Sequence, residues 1–185
     1  YDQALARNDG FYYYYRQRGL ARQELQDPAG ARRDLEKSLS LLPTAVAHFA
    51  LGNLALAADR REAAVTHFRA AARPPWSGRR RRAHTQLARL DLPANPERYL
   101  QVRSAVDSSG RVVLQVANRA PLAVRNVVVE VGAFDSSGRL VARDRVTVTG
   151  AVAAGQARVV ASRIRAGAVA PAAVRTRVLG ADLAE

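Results

Sequence analysis

The sequence predicts an α+β protein of two domains, a stack of short helices followed by an antiparallel β-sandwich. Residues 1–92 show helical spacing of apolar side chains and few β-branched residues, whereas from Tyr99 onward apolar and polar residues alternate and valine is frequent. The stretch LDLPANPER, residues 90–98, lies between them with two prolines that disfavour continued helix. We therefore predict a helical domain over 1–92, a linker over 93–98 and a β domain over 99–185.

The helical half repeats itself with a period close to 34 residues. Four helix positions recur 33 residues later, as Gly19 and Gly52, Ala31 and Ala64, Leu35 and Phe68, and Ser38 and Ala71. Small residues at fixed positions let two helices approach closely, and bulky residues fill the gap to the next pair. This arrangement predicts stacked helix–turn–helix units.

The repeat resembles the tetratricopeptide repeat (TPR) family. The residues that carry the resemblance are Tyr15, Gly19, Ala31, Leu35, Ser38 and Pro43 in one repeat and Leu51, Gly52, Ala64, Phe68 and Ala71 in the next. The family usually has an aromatic residue where Arg22 and Ala55 stand. The resemblance implies a TPR solenoid with a half repeat over 1–9, repeats over 11–43 and 45–74, and a capping helix over 77–90 that Ser77 begins.

The TPR resemblance also implies a concave groove lined by the first helix of each repeat. It places Tyr13, Arg16, Leu20 and Gln23 there from the first repeat, and Val46, Phe49, Asn53 and Leu56 from the second. In the segment GFYYYYRQRG we assign Phe11, Tyr15 and Gly19 to a packing line, which leaves Tyr13 and Arg16 for a partner. Tyrosine and arginine are enriched at binding hot spots. The alternative is that a short stack serves as a spacer or as a surface on which copies of the chain associate.

The C-terminal half predicts six strands. They span 99–106, 111–118, 123–134, 139–148, 156–164 and 173–180. The near-identical segments DSSGRVV and DSSGRLV are expected to form turns between adjacent strands. This strand count indicates an immunoglobulin-like sandwich, and the order of valine-rich strands and turns is similar to bacterial extracytoplasmic domains of the FxLYD type.

Charge gives a second functional hypothesis. The net charge is +13, and Lys37 is the only lysine. This skew toward arginine fits a GC-rich bacterial genome. The excess of basic over acidic side chains is shared almost evenly between the two halves of the chain. The run Arg79, Arg80, Arg81 and Arg82 begins a predicted helix, where cations oppose the helix dipole, which hints at an anionic partner. Nucleic-acid binding through this basic surface is the less favoured alternative, since no nucleic-acid-binding motif is present.

The sequence contains no constellation of catalytic or metal-binding residues. His48, His67 and His84 are the only histidines, and none has metal-ligand spacing. We interpret His48 and His67 as structural residues on packed helix faces. The sequence also lacks cysteine, an 18-residue apolar run and the motifs of phosphate-binding loops and serine hydrolases. We therefore predict a chain that is not itself an enzyme and uses no cofactor or metal.

Helical repeats that precede a valine-rich sandwich resemble the non-catalytic C-terminal part of bacterial M48 (Ste24-like) zinc metallopeptidases. The resemblance implies that a catalytic domain precedes this chain in its parent protein. None of that family's zinc ligands has a counterpart in this sequence. Because the sequence begins at Tyr1 with residues that read as the end of a helix, we expect a fragment. From these observations we predict a scaffold that binds a protein or a peptide in the periplasm or cell envelope. A cytoplasmic location and the association of copies of the chain remain alternatives.

Overall fold

The structure is a computed structural model that describes residues 1–73, 80–165 and 173–184. The chain divides into two compact units, residues 1–87 and 88–185, which we call the helical unit and the β unit. Each unit is described by itself.

Five helices lie within the helical unit, and a sixth begins in it. They are α1 (Asp2–Arg7), α2 (Tyr12–Glu24), α3 (Pro28–Leu41), α4 (Ala45–Ala57), α5 (Arg61–Ala72) and α6 (Arg80–Asp91). Two helices begin at side-chain caps that the sequence supplies. Asp27 accepts a hydrogen bond from the Gly30 amide at the start of α3, and Thr44 accepts one from the Ala47 amide at the start of α4.

Glycine allows the helices to pack closely within two antiparallel pairs, α2 with α3 and α4 with α5. A Cβ on Gly19 would lie 2.8 Å from Leu35 Cγ, and one on Gly52 would lie 2.6 Å from Phe68 Cε1. Leu35 and Phe68 are completely buried. The prediction that small residues at these repeat positions permit close helix approach is confirmed.

The β unit contains all six predicted strands. They are β1 (Leu100–Val106), β2 (Arg111–Asn118), β3 (Val124–Phe134), β4 (Leu140–Val148), β5 (Ala157–Arg165) and β6 (Val174–Leu183), preceded by a short 3₁₀ helix, Pro96–Arg98. They form two antiparallel three-stranded sheets with the strand orders β1-β2-β5 and β4-β3-β6. We call these sheet A and sheet B.

One valine-rich core lies on the inner faces of the two sheets. The predicted inward-facing residues of β2 and β3 are fully buried: Val112, Leu114, Val116, Val127, Val129, Val131 and Ala133. Alternation along each strand therefore identifies the core correctly.

Both predicted Asp-Ser-Ser-Gly turns are present. Asp107 Oδ1 accepts hydrogen bonds from the Ser109 amide and hydroxyl and from the Arg111 amide, and Asp135 makes the same set with Ser137 and Arg139. These bonds, led by those from the two serine hydroxyls, hold the pKa of both carboxyls below their usual value. The two aspartates are turn residues, as the sequence indicates.

The predicted architecture, a TPR solenoid followed by an immunoglobulin-like sandwich, is wrong, although its α+β character is confirmed. The described residues form six helices and two small sheets of three strands each. A repeat stack needs about three units to bury a continuous core. Among the described residues, only α2–α3 and α4–α5 are complete pairs of long helices. An immunoglobulin constant domain divides seven strands between sheets of four and three. The predicted helix cap, Ser77, lies outside the described residues.

Candidate functional site

A depression of about 380 Å³ lies between α2 and α4 on the surface of the helical unit. Its lining brings together five of the residues predicted to line a groove, together with Glu24 and Ala50; the five are Leu20, Gln23, Val46, Phe49 and Asn53. Residues three, four and seven apart share one face of a helix, which explains how α4 presents Val46, Phe49 and Asn53 to the same space.

A second depression of about 340 Å³ adjoins the first. Gln23 and Asn53 line both, and the second also includes Gln26, Pro28, Leu54, Ala57 and Ala58. We call the two depressions together the groove. Two carboxamide side chains therefore stand where the two depressions meet, and a carboxamide both donates and accepts hydrogen bonds.

Sequence reasoning missed the end of the groove formed by the α2–α3 turn. Gln26 in this turn has a positive φ of 59°, and Pro28 occupies the first position of α3. The pair Asp27-Pro28 was a readable turn and helix-start signal. The TPR resemblance, however, draws the groove from helix faces alone and so omits the turn.

Phe49 is more buried than its predicted role as a partner contact requires. It is only 8% exposed, and its ring lies 5.6 Å from that of Phe68, centroid to centroid. Truncating a buried phenylalanine removes core packing, at a cost of about 3–5 kcal/mol. Phe49→Ala would therefore lower stability as well as any partner binding, and Phe49 acts mainly as the floor of the groove.

The remaining predicted contacts on α2 and α4 lie outside both depressions. Leu56 is 39% exposed on α4 but lines neither. Tyr13 is exposed near the start of α2, and the guanidinium carbon of Arg16 lies 4.9 Å from its ring centroid and 5.6 Å from that of Tyr12. Arg16 Nε is buried and has no hydrogen-bond partner within the described part of the chain. The rest of the Arg16 side chain is half-buried beside the exposed Tyr13, and its guanidinium can accept no hydrogen bond but can donate to an acidic group.

In the segment GFYYYYRQRG, the prediction that Gly19 packs against a neighbouring helix is confirmed, and the prediction that Phe11 belongs to the same packed face is wrong. Phe11 is 41% exposed and contacts the rings of Tyr12, Tyr13 and Tyr14, at centroid distances of 5.4, 6.0 and 5.1 Å. It precedes α2 as its N-cap in extended conformation, so helical spacing does not direct it toward α3.

A buried carboxylate fixes α2 against α3 behind the groove. Asp34, with 5% of its side chain exposed, accepts two hydrogen bonds from Arg18 and one from Arg22. Arg18 also bonds Asp2 of α1 at 2.6 Å. Hydrogen bonding to Asp34 raises the pKa of Arg18 further above its usual range. Nothing in the sequence spacing identified this network.

The two predicted structural histidines contact one another across α4 and α5. His48 Nδ1 and His67 Nδ1 are 3.2 Å apart, so one nitrogen donates and the other accepts. Burial lowers the pKa of both rings, and each half-buried imidazole is thereby kept neutral near pH 7. Across residues 1–73, 80–165 and 173–184, no group of three or more metal-ligating side chains is assembled.

The basic run lies partly outside the described residues, because Arg79 falls in the gap before α6. Arg80, Arg81 and Arg82 form the first turn of α6 and are exposed. In the part of the chain that the structure describes, no helix is both long and apolar enough to cross a bilayer.

No protein-family model matches the chain, and no curated protein matches it.

Proposed function

We propose that the helical unit binds a peptide segment of a protein partner in the groove and so acts as an interaction module. The observation that carries this proposal is the convergence of Leu20, Gln23, Phe49 and Asn53 on one depression. An apolar side chain of the peptide enters the space between Leu20 and Val46, over the ring of Phe49. Gln23 and Asn53 bond the peptide backbone, whose own amide and carbonyl groups need partners when water is removed.

Arg16 extends the proposed site toward the start of α2. Its buried Nε lacks a partner, and its guanidinium lies against Tyr12 and Tyr13. A carboxylate of the peptide pairs with the partly exposed guanidinium of Arg16 through a charge-assisted hydrogen bond. The preferred partner is therefore a segment that carries an apolar side chain and an acidic side chain.

The test uses peptides selected from a displayed library of random 12-residue sequences on the full chain. Enriched peptides are titrated against the wild type and against Gln23→Ala,Asn53→Ala. Loss of two hydrogen bonds weakens binding by about tenfold or more. The matched control Gln3→Ala,Gln156→Ala removes two exposed carboxamides elsewhere and leaves affinity unchanged. Equal affinity of the groove variant and the wild type contradicts the proposal.

Nucleic-acid binding remains a second proposal because Arg80, Arg81 and Arg82 are exposed together on the first turn of α6. Such binding falls steeply with salt because counterions are released. Replacing all three with glutamine is expected to abolish binding of an oligonucleotide at low salt, and no binding by the wild type removes this alternative. The cell-envelope location and the M48-type parent protein stay predictions that the upstream reading frame tests.

A further inference from the structure

The outward face of sheet A carries arginine as its only charged residue type among the described residues. Along β1, β2 and β5, the residues that alternate with the core-facing positions form this face; Arg158 is exposed but stands at a core-side position of β5 and bonds the Thr149 carbonyl. We call it the arginine face. Its five exposed arginines are Arg103, Arg111, Arg163 and Arg165 on the strands and Arg119 directly after β2.

No carboxylate within the described ranges forms an ion pair with these five guanidiniums. Two aspartates border the face, and backbone amides occupy both. Asp107 accepts from Ser109 and Arg111, and Asp144 accepts from the amides of Arg145 and Arg163. The face therefore keeps a net positive charge, because its five arginines outnumber the two bordering aspartates, of which Asp107 attracts Arg111 without pairing with its guanidinium.

The strand register places like charges opposite one another. Arg111 of β2 is the cross-strand neighbour of Arg165 of β5. Like charges that face each other across an antiparallel pair are destabilising, so an external anion that lies between them relieves repulsion.

A depression of about 220 Å³ lies at the other end of the face. Arginine and glutamine provide its polar side chains, from Arg103, Arg119, Gln101 and Gln115, and its small members are Ala117, Ala157 and Gly155. Arg119 Nη2 donates to Gln101 Oε1 at 3.0 Å, which orients the guanidinium. A guanidinium binds a phosphate through two parallel hydrogen bonds. The depression has the donors and the space for one phosphate group.

We propose that the arginine face binds the phosphate headgroups of an anionic phospholipid bilayer. A three-stranded sheet presents its arginines in one layer, which suits a planar array of phosphates. Val159 is 66% exposed between the arginine-bearing ends and provides apolar contact with the interface. The described positions of the arginine face bear no aromatic side chain on which bases would stack. This absence disfavours single-stranded nucleic acid as the occupant.

The test measures sedimentation of the full chain with vesicles of phosphatidylcholine alone or mixed equally with phosphatidylglycerol. We expect binding to the mixed vesicles that weakens as salt rises. Arg103→Gln,Arg111→Gln,Arg165→Gln should weaken it by about 100-fold, at about fivefold for each arginine. The control Arg143→Gln,Arg145→Gln,Arg177→Gln removes the same charge from sheet B and should change binding by less than about threefold.

Three outcomes overturn the proposal. The first is an equal loss of vesicle binding in the two triple variants. The second is no binding of the wild type to mixed vesicles at low salt. The third is that a 20-nucleotide oligomer binds through the arginine face and vesicles do not bind. A second measurement is independent of how the variants fold. Amide hydrogen exchange of β1, β2 and β5 in the wild type should slow with mixed vesicles only, and equal exchange with both vesicles contradicts the proposal.

Discussion

Asp34 on α3 accepts two parallel hydrogen bonds from the Arg18 guanidinium on α2, with an Nε–Oδ2 distance of 2.8 Å and an Nη2–Oδ1 distance of 2.7 Å. Arg22, one turn further along α2, adds a bond of 2.9 Å to the same carboxylate. Because Leu20 and Gln23 belong to this stretch of α2, the pairing fixes the helix that provides one wall of the groove.

Removing the Asp34 carboxylate should therefore destabilise the helical unit. Asp34→Ala removes the acceptor that two arginines share, and it leaves Arg18, with only 22% of its side chain exposed, paired with the exposed Asp2 alone. Breaking a buried ion pair in this way costs about 3–5 kcal/mol of the free energy of unfolding. Urea unfolding measures the loss. Glu36→Ala, which removes an exposed i,i+4 pair with Arg32, should cost less than about 0.5 kcal/mol, and a similar cost for both variants contradicts this account.

The two helix-packing glycines should not tolerate alanine. In Gly19→Ala the new methyl group meets Leu35, and in Gly52→Ala it meets Phe68, at distances below 3.0 Å. Overpacking of this kind costs about 1–3 kcal/mol, despite the higher helix propensity of alanine. Gly180→Ala is the control, since a Cβ there meets no atom within 4 Å. Thermal unfolding of the three variants tests whether Gly19→Ala and Gly52→Ala lose more stability than Gly180→Ala. Unchanged stability of Gly52→Ala would show that the helices are not in close contact.

The His48–His67 pair should make stability depend on pH. Burial lowers the pKa of both residues below 6.5 in the folded chain, with the His67 charge adding to the effect at His48. Near His67, Glu36 opposes the lowering and Arg60 adds to it. The unfolded chain therefore binds protons first as pH falls below 6.5, and stability decreases until the folded pKa values are passed.

Thermal midpoints measured between pH 7.5 and 5 test this dependence. We expect the wild-type midpoint to fall with pH and the slope to diminish in His48→Gln,His67→Gln. The single variants His48→Gln and His67→Gln should each reduce the slope by less than the double variant does. If the thermal midpoint of the double variant depends on pH as strongly as that of the wild type, the pH dependence comes from groups other than this pair.

Asn118 should be required for the stability of the β unit. Its fully buried amide donates to the carbonyls of Leu122 and Val152 and accepts from the Ala120 amide. Asn118→Ala leaves the buried Ala120 amide and the half-buried Leu122 carbonyl without these partners, whereas the Val152 carbonyl keeps its bond from the Val124 amide, and we expect a cost of about 2 kcal/mol. Gln115→Ala, at an exposed position of the same strand, should change the unfolding free energy by less than about 0.5 kcal/mol. Urea denaturation that gives equal values for the two would refute the role of Asn118.

Local patterns predicted the elements of this protein better than their assembly. Alternation identified the six strands and the inward face of β2, and repeat spacing identified Gly19 and Gly52, because both depend on neighbouring positions along the chain. The number of stacked units and the strand count of each sheet depend on contacts between distant segments. The sequence pattern was therefore compatible with a solenoid and an immunoglobulin-like sandwich that the structure does not contain.

The candidate site shows the same division. Leu20, Gln23 and Asn53 were assigned to a groove by the TPR resemblance, and they line one depression because that resemblance follows helical spacing within α2 and α4. The pairing of Arg18 with Asp34 was not readable, since 16 residues separate them and any of several carboxylates could have served. Phe11 was misplaced because it caps α2 in extended conformation, where helical periodicity no longer holds.

Peptide binding in the groove is tested most directly by the side-chain amide signals of Gln23 and Asn53 in two-dimensional ¹⁵N–¹H NMR spectra of the full chain. A library-selected peptide is titrated into the labelled protein. We predict that these two signals shift and saturate together, while those of Gln3 and Gln156 stay in place. Saturable binding that leaves Gln23 and Asn53 unshifted would contradict the groove as the site.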